Sequence, residues 1–407
     1  MPPKRDPEDG TPAGDAVPAP PAKKPKKEKV VIPDNIPQDP APRQPPPPAG
    51  TTPFKCVCWN VAGLRALMEK KPETLRAVVD AESPDVIALN EHKLQESHVA
   101  DLTAKLRELL PEYPTARFAV STAKKGYSGV AVLARATLPS DAGTNASASA
   151  SASASASASA PKRGTISGFF KPEPNKNKPD EATPTTGQSA VGASASASAH
   201  ASASAGPSLL DVWDGFGDFK SGYANEGRVL TMEYDRFFLV VAYVPNSGMK
   251  LDRLDYRVDT WDPDFRAYLA YLDAKKPVVL GGDLNVGHLD ADIYNVSAPH
   301  VKKSAGLTPR ERESWSATLA HGAGFVDTFR HFHPDVTGWF TYWSGRAGNR
   351  PHNKGLRLDY FAASRRVVVD ARDRGEKVAV TDGFILDKLT VGASDHAPIG
   401  VTLALDD

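Results

Sequence analysis

Two alanine- and serine-rich tracts, residues 146–160 and 193–205, interrupt the chain near its middle. Alanine favours helix and serine does not, and neither offers an apolar face to bury, so residues 140–206 are expected to form a flexible insertion. Any core must then be assembled from the blocks on either side, 53–139 and 207–407. A second exclusion falls at the N-terminus. Residues 1–52 are rich in Pro, Ala, Lys and Asp and nearly lack aromatic and β-branched side chains. Such a segment cannot bury enough apolar surface to order itself. It carries Lys23-Lys24-Pro25-Lys26-Lys27-Glu28-Lys29, a basic cluster of the kind that directs proteins to the nucleus or tethers them to DNA. A nuclear location is the expectation.

Bulk charge excludes little. Lys plus Arg and Asp plus Glu both number 49, and a neutral protein can still bind a polyanion through a local basic rim. The only cysteines are Cys56 and Cys58. On one strand their Cα atoms would stand roughly 6.5–7 Å apart, at or beyond the reach of a disulfide. They read as reduced thiols in a core strand, which suits an intracellular protein. No apolar run is long enough to cross a bilayer, and the N-terminus has no hydrophobic leader. A monomer without membrane partners is expected.

The two blocks read as alternating strands and helices. Apolar runs of strand length occupy 54–59, 85–89 and 129–133, with a helix at 74–81 ending before Ser83-Pro84. In the second block, strands are expected at 228–233, 237–243, 278–280, 357–362 and 399–405. Tyr234-Asp235-Arg236 makes a tight hairpin, and 264–274 is a helix with Phe265, Tyr268, Leu269 and Leu272 on one stripe. This order suggests a layered α/β domain.

Short polar clusters sit at the expected strand ends, where layered α/β proteins place their sites. They are Trp59-Asn60-Val61-Ala62-Gly63-Leu64-Arg65, Asn90-Glu91-His92-Lys93, Lys125-Gly126-Tyr127-Ser128-Gly129, Ala242-Tyr243-Val244-Pro245-Asn246, Gly281-Gly282-Asp283-Leu284-Asn285-Val286, Leu356-Arg357-Leu358-Asp359-Tyr360-Phe361 and Ser394-Asp395-His396-Ala397-Pro398-Ile399. A lone strand-terminal Asp is usually a cap or turn residue; so many in succession are not explained that way. Together they resemble the endonuclease/exonuclease/phosphatase superfamily, and within it the exonuclease III-type AP endonucleases. The stretch 241–257 and Gly306-Leu307-Thr308-Pro309-Arg310-Glu311-Arg312 are similar to that subfamily in particular. The resemblance spans residues 54–405, with the Ala-Ser segment as an insertion. It implies a four-layer α/β sandwich, two packed mixed sheets flanked by helices.

It also implies an activity: Mg²⁺-dependent hydrolysis of the phosphodiester 5′ to an abasic site in double-stranded DNA, with 3′-phosphodiesterase or 3′–5′ exonuclease activity on blocked 3′ ends. Hard carboxylate and amide oxygens suit Mg²⁺, with Mn²⁺ as a substitute. By resemblance Glu91 is the main metal ligand, Asn60 and Asp395 lie close to the ion, and Asp283 and Asn285 serve both metal and phosphate. Asp283 would orient or deprotonate the attacking water, Asp359 would fix the tautomer of His396, and Tyr243 would donate toward the phosphate or leaving group. Which of Asp283, Tyr243 and His396 is the base stays open. His288, His331 and His333 are left as structural or rim residues.

An abasic sugar is extruded into a pocket too tight for an ordinary nucleotide. The matching wall is Tyr342, Leu356 and Leu358, with Trp343 adjacent. Lys125, Gly126 and Tyr127 would touch the duplex backbone, and Arg228 and Asn246 the phosphates or sugar. Met249 stands where a human member of the family inserts an arginine, which implies a wedge without the cation. Ala62 replaces an Asp or Asn common in this motif, and Leu356 replaces a pocket tryptophan, changes that favour one metal ion and a looser pocket. Within the insertion, Ile166, Phe169 and Phe170 would align on one helical face. They resemble the peptide by which repair proteins bind the replication sliding clamp, with Arg163 in place of the usual glutamine. Two alternatives stand beside the nuclease: a phosphatase or phospholipase of the same superfamily, and a catalytically weakened DNA-binding scaffold, favoured only by Ala62.

Overall fold

Every apolar run named above becomes a strand of one of two six-stranded sheets. The computed structural model describes residues 42–139, 206–369, 371 and 373–406. The basic cluster at 23–29 and the clamp-like residues Ile166, Phe169 and Phe170 lie outside these. The first block supplies β1 (Thr52–Asn60), α1 (Leu64–Lys70), α2 (Pro72–Glu82), β2 (Val86–Asn90), α3 (Glu96–Leu109), β3 (Thr115–Ala119) and β4 (Val130–Ala134). The second supplies β5 (Leu209–Asp214), β6 (Val229–Tyr234), β7 (Phe238–Tyr243), α4 (Asp262–Asp273), β8 (Val278–Asp283), α5 (Pro309–Ala320), β9 (Phe325–Asp327), α6 (Thr328–Phe332), β10 (Asp359–Ser364), α7 (Arg365–Val368), β11 (Val378–Ile385) and β12 (Ile399–Leu405).

The strand orders are β11-β12-β1-β2-β4-β3 and β5-β6-β7-β8-β10-β9. Both sheets follow one pattern. A parallel pair at the centre, β1/β2 or β7/β8, has two antiparallel pairings on each side. Strand alternation builds the layers. Cys56 and Cys58 face the second sheet in a core shared with Val86, Val132, Met232, Val241, Val279 and Val401. Trp59, Ile87 and Leu89 face outward and pack under α1, α2 and α3 through Leu64, Leu75, Val79, Leu102 and Leu106. On the far side Val240 and Leu280 pack under α4 through Phe265, Tyr268, Leu269 and Leu272. The expected four-layer sandwich is therefore the fold. With both faces covered, the central strands read as continuous apolar runs rather than alternating ones.

Sequence reading missed β3, β5, β9 and β11. β5 and β9 are edge strands with half-exposed residues, and β11 slips register between Val380 and Asp382, so their apolar periodicity is broken. The tail boundary at residue 52 also needs correction. Arg43 is ordered by Asp382 at 2.8 Å, Glu82 at 3.0 Å and the Phe384 ring at 3.6 Å, and β1 starts at Thr52. Cys56 and Cys58 are buried free thiols, and burial pushes both thiols up. No helix among the described residues is long and apolar enough to cross a membrane.

A buried ion cluster fixes the loops ahead of β10. Arg357 is bound by Asp292 at 2.8 Å and by Asp327 at 2.6 Å, and Arg330 reaches Asp292 at 2.6 Å. Burial alone would raise the Asp292 carboxyl, yet Arg357 and Arg330 hold it down at about 2. The unfolded chain binds that proton near the ordinary value of about 3.9, so the linkage stabilises the fold by about 2 kcal/mol above pH ~4. That stability is lost as the pH falls through the folded value of about 2. Urea midpoints of wild type and Asp292→Asn should therefore lie far apart at neutral pH and draw together on acidification toward pH ~3.

Candidate active site

Because the parallel pairs of both sheets lie at their centres, four strand ends converge on one edge of the sandwich. They deliver Asn60, Asn90, Tyr243 and Asp283. Side chains stitch these ends across the two sheets: Asn60 Nδ2 donates to Asp283 Oδ2 at 2.9 Å, and Asn90 Nδ2 to the carbonyl of Ala242 at 3.2 Å. Asn90 was not among the expected site residues; its side-chain oxygen also accepts from the Asp283 amide at 3.2 Å. Within the second sheet, Gly282 lets β8 run beside its register partner Ala242 on β7. Its φ is +147°, and a Cβ there would stand 1.9 Å from the carbonyl oxygen of Ala242.

Asp283 and Asp359 are register partners on β8 and β10, which brings two carboxylates into one buried space. His396 lies beside both. Its Nδ1 donates to Asp359 Oδ2 at 2.8 Å, and its Nε2 stands 3.9 Å from Asp283 Oδ2. The histidine segment is tied to β1: Trp59 Nε1 donates to the His396 carbonyl at 3.1 Å, and Ser394 Oγ to the Asn60 carbonyl at 2.7 Å. Burial first, and the Asp359 charge second, push the Asp283 carboxyl well above the ordinary carboxylate range. Burial opposes the His396 charge, but Asp359, Asp283 and Asp395 outweigh it and raise the imidazole to about 10.

Glu91 opens the opposite wall. Tyr243 Oη donates to one of its oxygens, and Lys93 Nζ lies 2.9 Å from the other. Burial would raise this carboxyl, but Lys93, Tyr243 and His396 together hold it below its usual value. Tyr243 is pushed up by burial and by the Glu91 and Asp283 charges. Backbone strain gathers here: Ala62, Glu91, Lys93 and Asn285 all have positive φ and all line the cleft. Such conformations persist only where the surroundings over-determine them. For Glu91 those surroundings are His92, whose Nδ1 accepts from the Leu94 amide at 3.0 Å, and Gly129, where a Cβ would meet the His92 ring at 2.3 Å. For Asn285 they are Arg257, which donates to the Asn285 and Leu284 carbonyls at 2.6 and 2.7 Å. Arg257 is held in turn by Glu311 at 3.4 Å, in the capping box that starts α5 at Thr308.

The cleft is about 470 Å³ and brings together Asn60, Glu91, Tyr243, Asn246, Met249, Asp283, Asn285, Tyr342, Leu356, Leu358, Asp395 and His396. Asp359 stands behind His396. Lys93, Lys303 and Ser304 also line it and were not expected; Lys93 follows β2 and Lys303 lies in the connection between β8 and α5, and neither lysine carries a distinguishing sequence signal. Met249 is 91% exposed at the rim. Lys125 and Gly126 lie on an exposed loop with Tyr127 half-buried, outside the cleft. Two expectations are corrected. Trp343 is buried and donates to Asn353 Oδ1 at 3.0 Å, so it backs the wall without lining it. Arg228 is 1% exposed, its guanidinium turned inward to Glu226, Tyr127 and the Tyr243 carbonyl. His288 pairs with Ser316 at 2.8 Å, outside the cleft.

The chemistry of the donors bears on a metal. Asp283, Asp359 and His396 have ligand-type atoms within 4.8 Å of one another, but the Nδ1 of His396 is already committed to Asp359. Glu91, Asp395 and Asn60 also present oxygens to the cleft, which contains no thiol. An oxygen-rich set of this kind fits a hard divalent cation.

Two helix-flanked sheets that converge on a carboxylate-lined, histidine-bearing cleft define a hydrolase of phosphoesters. The chain belongs to the Endonuclease/Exonuclease/phosphatase family, whose model matches residues 57–396, and is a nuclease of that family. It is 36% identical over 355 residues to the DNA repair nuclease APEX1 of Danio rerio, covering 86% of this chain and 83% of that one. It is 31% identical over 354 residues to a DNA-(apurinic or apyrimidinic site) endonuclease of Dictyostelium discoideum, covering 87% and 71%. The AP endonuclease LMAP from Leishmania major superposes with a TM-score of 0.59 at 28% identity, over 86% of this chain and 88% of that one.

The His396–Asp359 pair yields a direct test. In protein kept in EDTA, imidazole NMR should show His396 still protonated well above pH 7, titrating at about 10. In Asp359→Asn its value should fall back toward the ordinary range near ~6.5. A wild-type ring that is neutral at pH 8 would refute the pairing.

Proposed function

We propose that this chain is an AP endonuclease that hydrolyses the phosphodiester 5′ to an abasic site in duplex DNA, and that the same cleft trims blocked 3′ ends. One observation carries the reading: Asp283, linked to Asn60 and 3.9 Å from the Asp359-held His396, shares a cleft with the apolar wall Tyr342, Leu356 and Leu358. A hydrolytic centre beside an apolar wall suits a nucleotide that has lost its base. The names of the relatives support the same substrate.

Glu91, Asp395 and Asn60 would hold Mg²⁺, with Mn²⁺ as a substitute. Such an ion supplies neutralisation of charge on the phosphate and the leaving oxygen. Asp283 is the base. Its oxygens are oriented by Asn60 Nδ2 and the Asn285 amide at 2.9 Å each, and its raised proton affinity matches the task of taking a proton from water. His396, kept cationic by Asp359, meets a non-bridging phosphate oxygen through Nε2. Tyr243 fixes the Glu91 carboxylate through its hydroxyl. Asn246 and Met249 sit at the mouth, toward the sugar and the flanking bases.

A duplex oligonucleotide with one tetrahydrofuran site provides the test, run with Mg²⁺ and with EDTA beside Glu91→Gln and Asp283→Asn. The expected outcome is Mg²⁺-dependent cutting immediately 5′ to the lesion, slowed by about 10²–10⁴-fold in each variant. The wild-type rate should fall with acidification well above the ordinary carboxylate range, because Asp283 acts unprotonated. Tight binding without cutting would instead favour a scaffold.

The basic cluster at 23–29 supports nuclear residence, and the Ile166, Phe169, Phe170 triplet supports docking to the sliding clamp. A clamp pulldown should lose the protein when Phe169→Ala and Phe170→Ala are combined. Equal recovery of both forms would remove the clamp from the proposal.

A further inference from the structure

Behind Tyr243 lies a cluster that joins the two sequence blocks. Arg228, just ahead of β6, uses all three guanidinium nitrogens: Nε to Glu226 at 2.5 Å, Nη1 to the Tyr243 carbonyl at 3.1 Å, and Nη2 to the Tyr127 hydroxyl at 2.6 Å. Its guanidinium carbon stands 5.0 Å from the centroid of the Tyr243 ring and 5.2 Å from that of Tyr127. The Tyr127 hydroxyl accepts a second charged donor, Arg253 Nη1, at 2.5 Å. Arg253 is itself held by Glu226 at 2.9 Å.

Two consequences follow from these contacts. With every nitrogen engaged and only 1% of the side chain exposed, Arg228 is turned away from any phosphate at the surface. The Tyr127 oxygen, carrying two arginine donors, has used the acceptor capacity of a phenol. Arg228 is therefore not placed as a DNA contact, whereas Tyr127 keeps its own hydroxyl proton as a donor, on a loop that also carries exposed Lys125. What the cluster does touch is Tyr243, held at its carbonyl and across its ring by Arg228 and at its hydroxyl by Glu91. A planar fork that stacks and donates together is a task lysine cannot take over.

We propose that Arg228 is a positioning residue for Tyr243 that does not bind DNA, and that Tyr127 anchors Arg228 from the first block. The inference rests on the reading that the Tyr243–Glu91 wall belongs to a nuclease centre. Misplacing a reacting group by about 1 Å can cost on the order of 10²-fold in rate, so the arginine acts on turnover and leaves affinity alone.

Single-turnover cutting and DNA affinity separate the possibilities, using Arg228→Lys, Tyr127→Phe, Tyr243→Phe and the Arg228→Lys/Tyr243→Phe double variant. Arg228→Lys should slow cutting by about 10–100-fold and Tyr127→Phe by less, with KM and the salt dependence of DNA affinity unchanged. The double variant should be no slower than Tyr243→Phe alone, because the arginine acts only through that tyrosine. A shallower salt slope, by about one unit in log–log form, would mark a lost phosphate contact and overturn the proposal. Additive losses in the double variant would overturn it as well. A readout independent of substrate is the ring resonances of Tyr243 in ¹³C-tyrosine-labelled, DNA-free protein. They should shift in both Arg228→Lys and Tyr127→Phe; unchanged resonances refute the proposal even if the enzyme cuts as expected. Shifted resonances in a protein that leaves abasic DNA intact would uphold the cluster and count against the AP endonuclease reading instead.

Discussion

The placement of Asp283 is the constraint on which the rest of the site depends. A carboxylate almost wholly removed from water is costly unless its charge is met by donors or by neutralisation. Here the donors come from both sheets, Asn60 from the first and the Asn285 amide from the second. The strands of the two sheets must therefore finish at the same level, and within the second sheet Gly282 lets β8 end beside β7. The residual imbalance, two carboxylates facing one imidazole, leaves a raised proton affinity on Asp283 and a cationic His396. Those are the protonation tendencies a hydrolytic centre uses, and they come from burial and from the packing of strand ends against the segment that carries Asp395 and His396.

The strained residues follow the same logic from the loops. Glu91 and Asn285 turn through left-handed backbone directly after β2 and β8, which swings their side chains back over the strand ends. Each turn is locked by buried polar groups with no chemistry of their own: His92 against Gly129, and the Arg257–Glu311 pair under the Asn285 loop. His92 is kept neutral by burial, its value lowered to about 4, so it works as a fixed hydrogen-bonding wedge. The rigidity of the cleft is thus built one shell away from it.

Buried arginines perform a parallel service for the walls. Arg357 sits between the cleft residues Leu356 and Leu358 and is drawn inward by Asp292 and Asp327. Arg228 does the same under Tyr243. In the sequence Arg228 reads as a DNA contact, and Arg357 stands between two residues of the expected pocket wall. Only their partners, Asp292 and Asp327 for one and Glu226 and Tyr127 for the other, reveal that their charge is already neutralised inside the fold.

The sequence by itself determined the α/β class and the central strands, and its resemblance to a known family named many of the residues that line the cleft. Apolar runs of strand length and the polar residues that follow them are local properties, written within six or seven positions of one another. Asn60, Glu91 and Asp283 stand out in that way and His396 just ahead of such a run, while their roles came from the resemblance to a known family. The tertiary structure decided what depends on distant partners. It turned Arg228 and Trp343 inward, made Asn90 and Lys93 part of the site, ordered residues 42–52 through Arg43, and recruited the edge strands whose apolar periodicity is broken. Each of these outcomes is set by a charge, a hydrogen bond or a packing surface contributed from elsewhere in the chain, as with Arg228 and Tyr127, 101 residues apart. Local pattern cannot encode that complementarity.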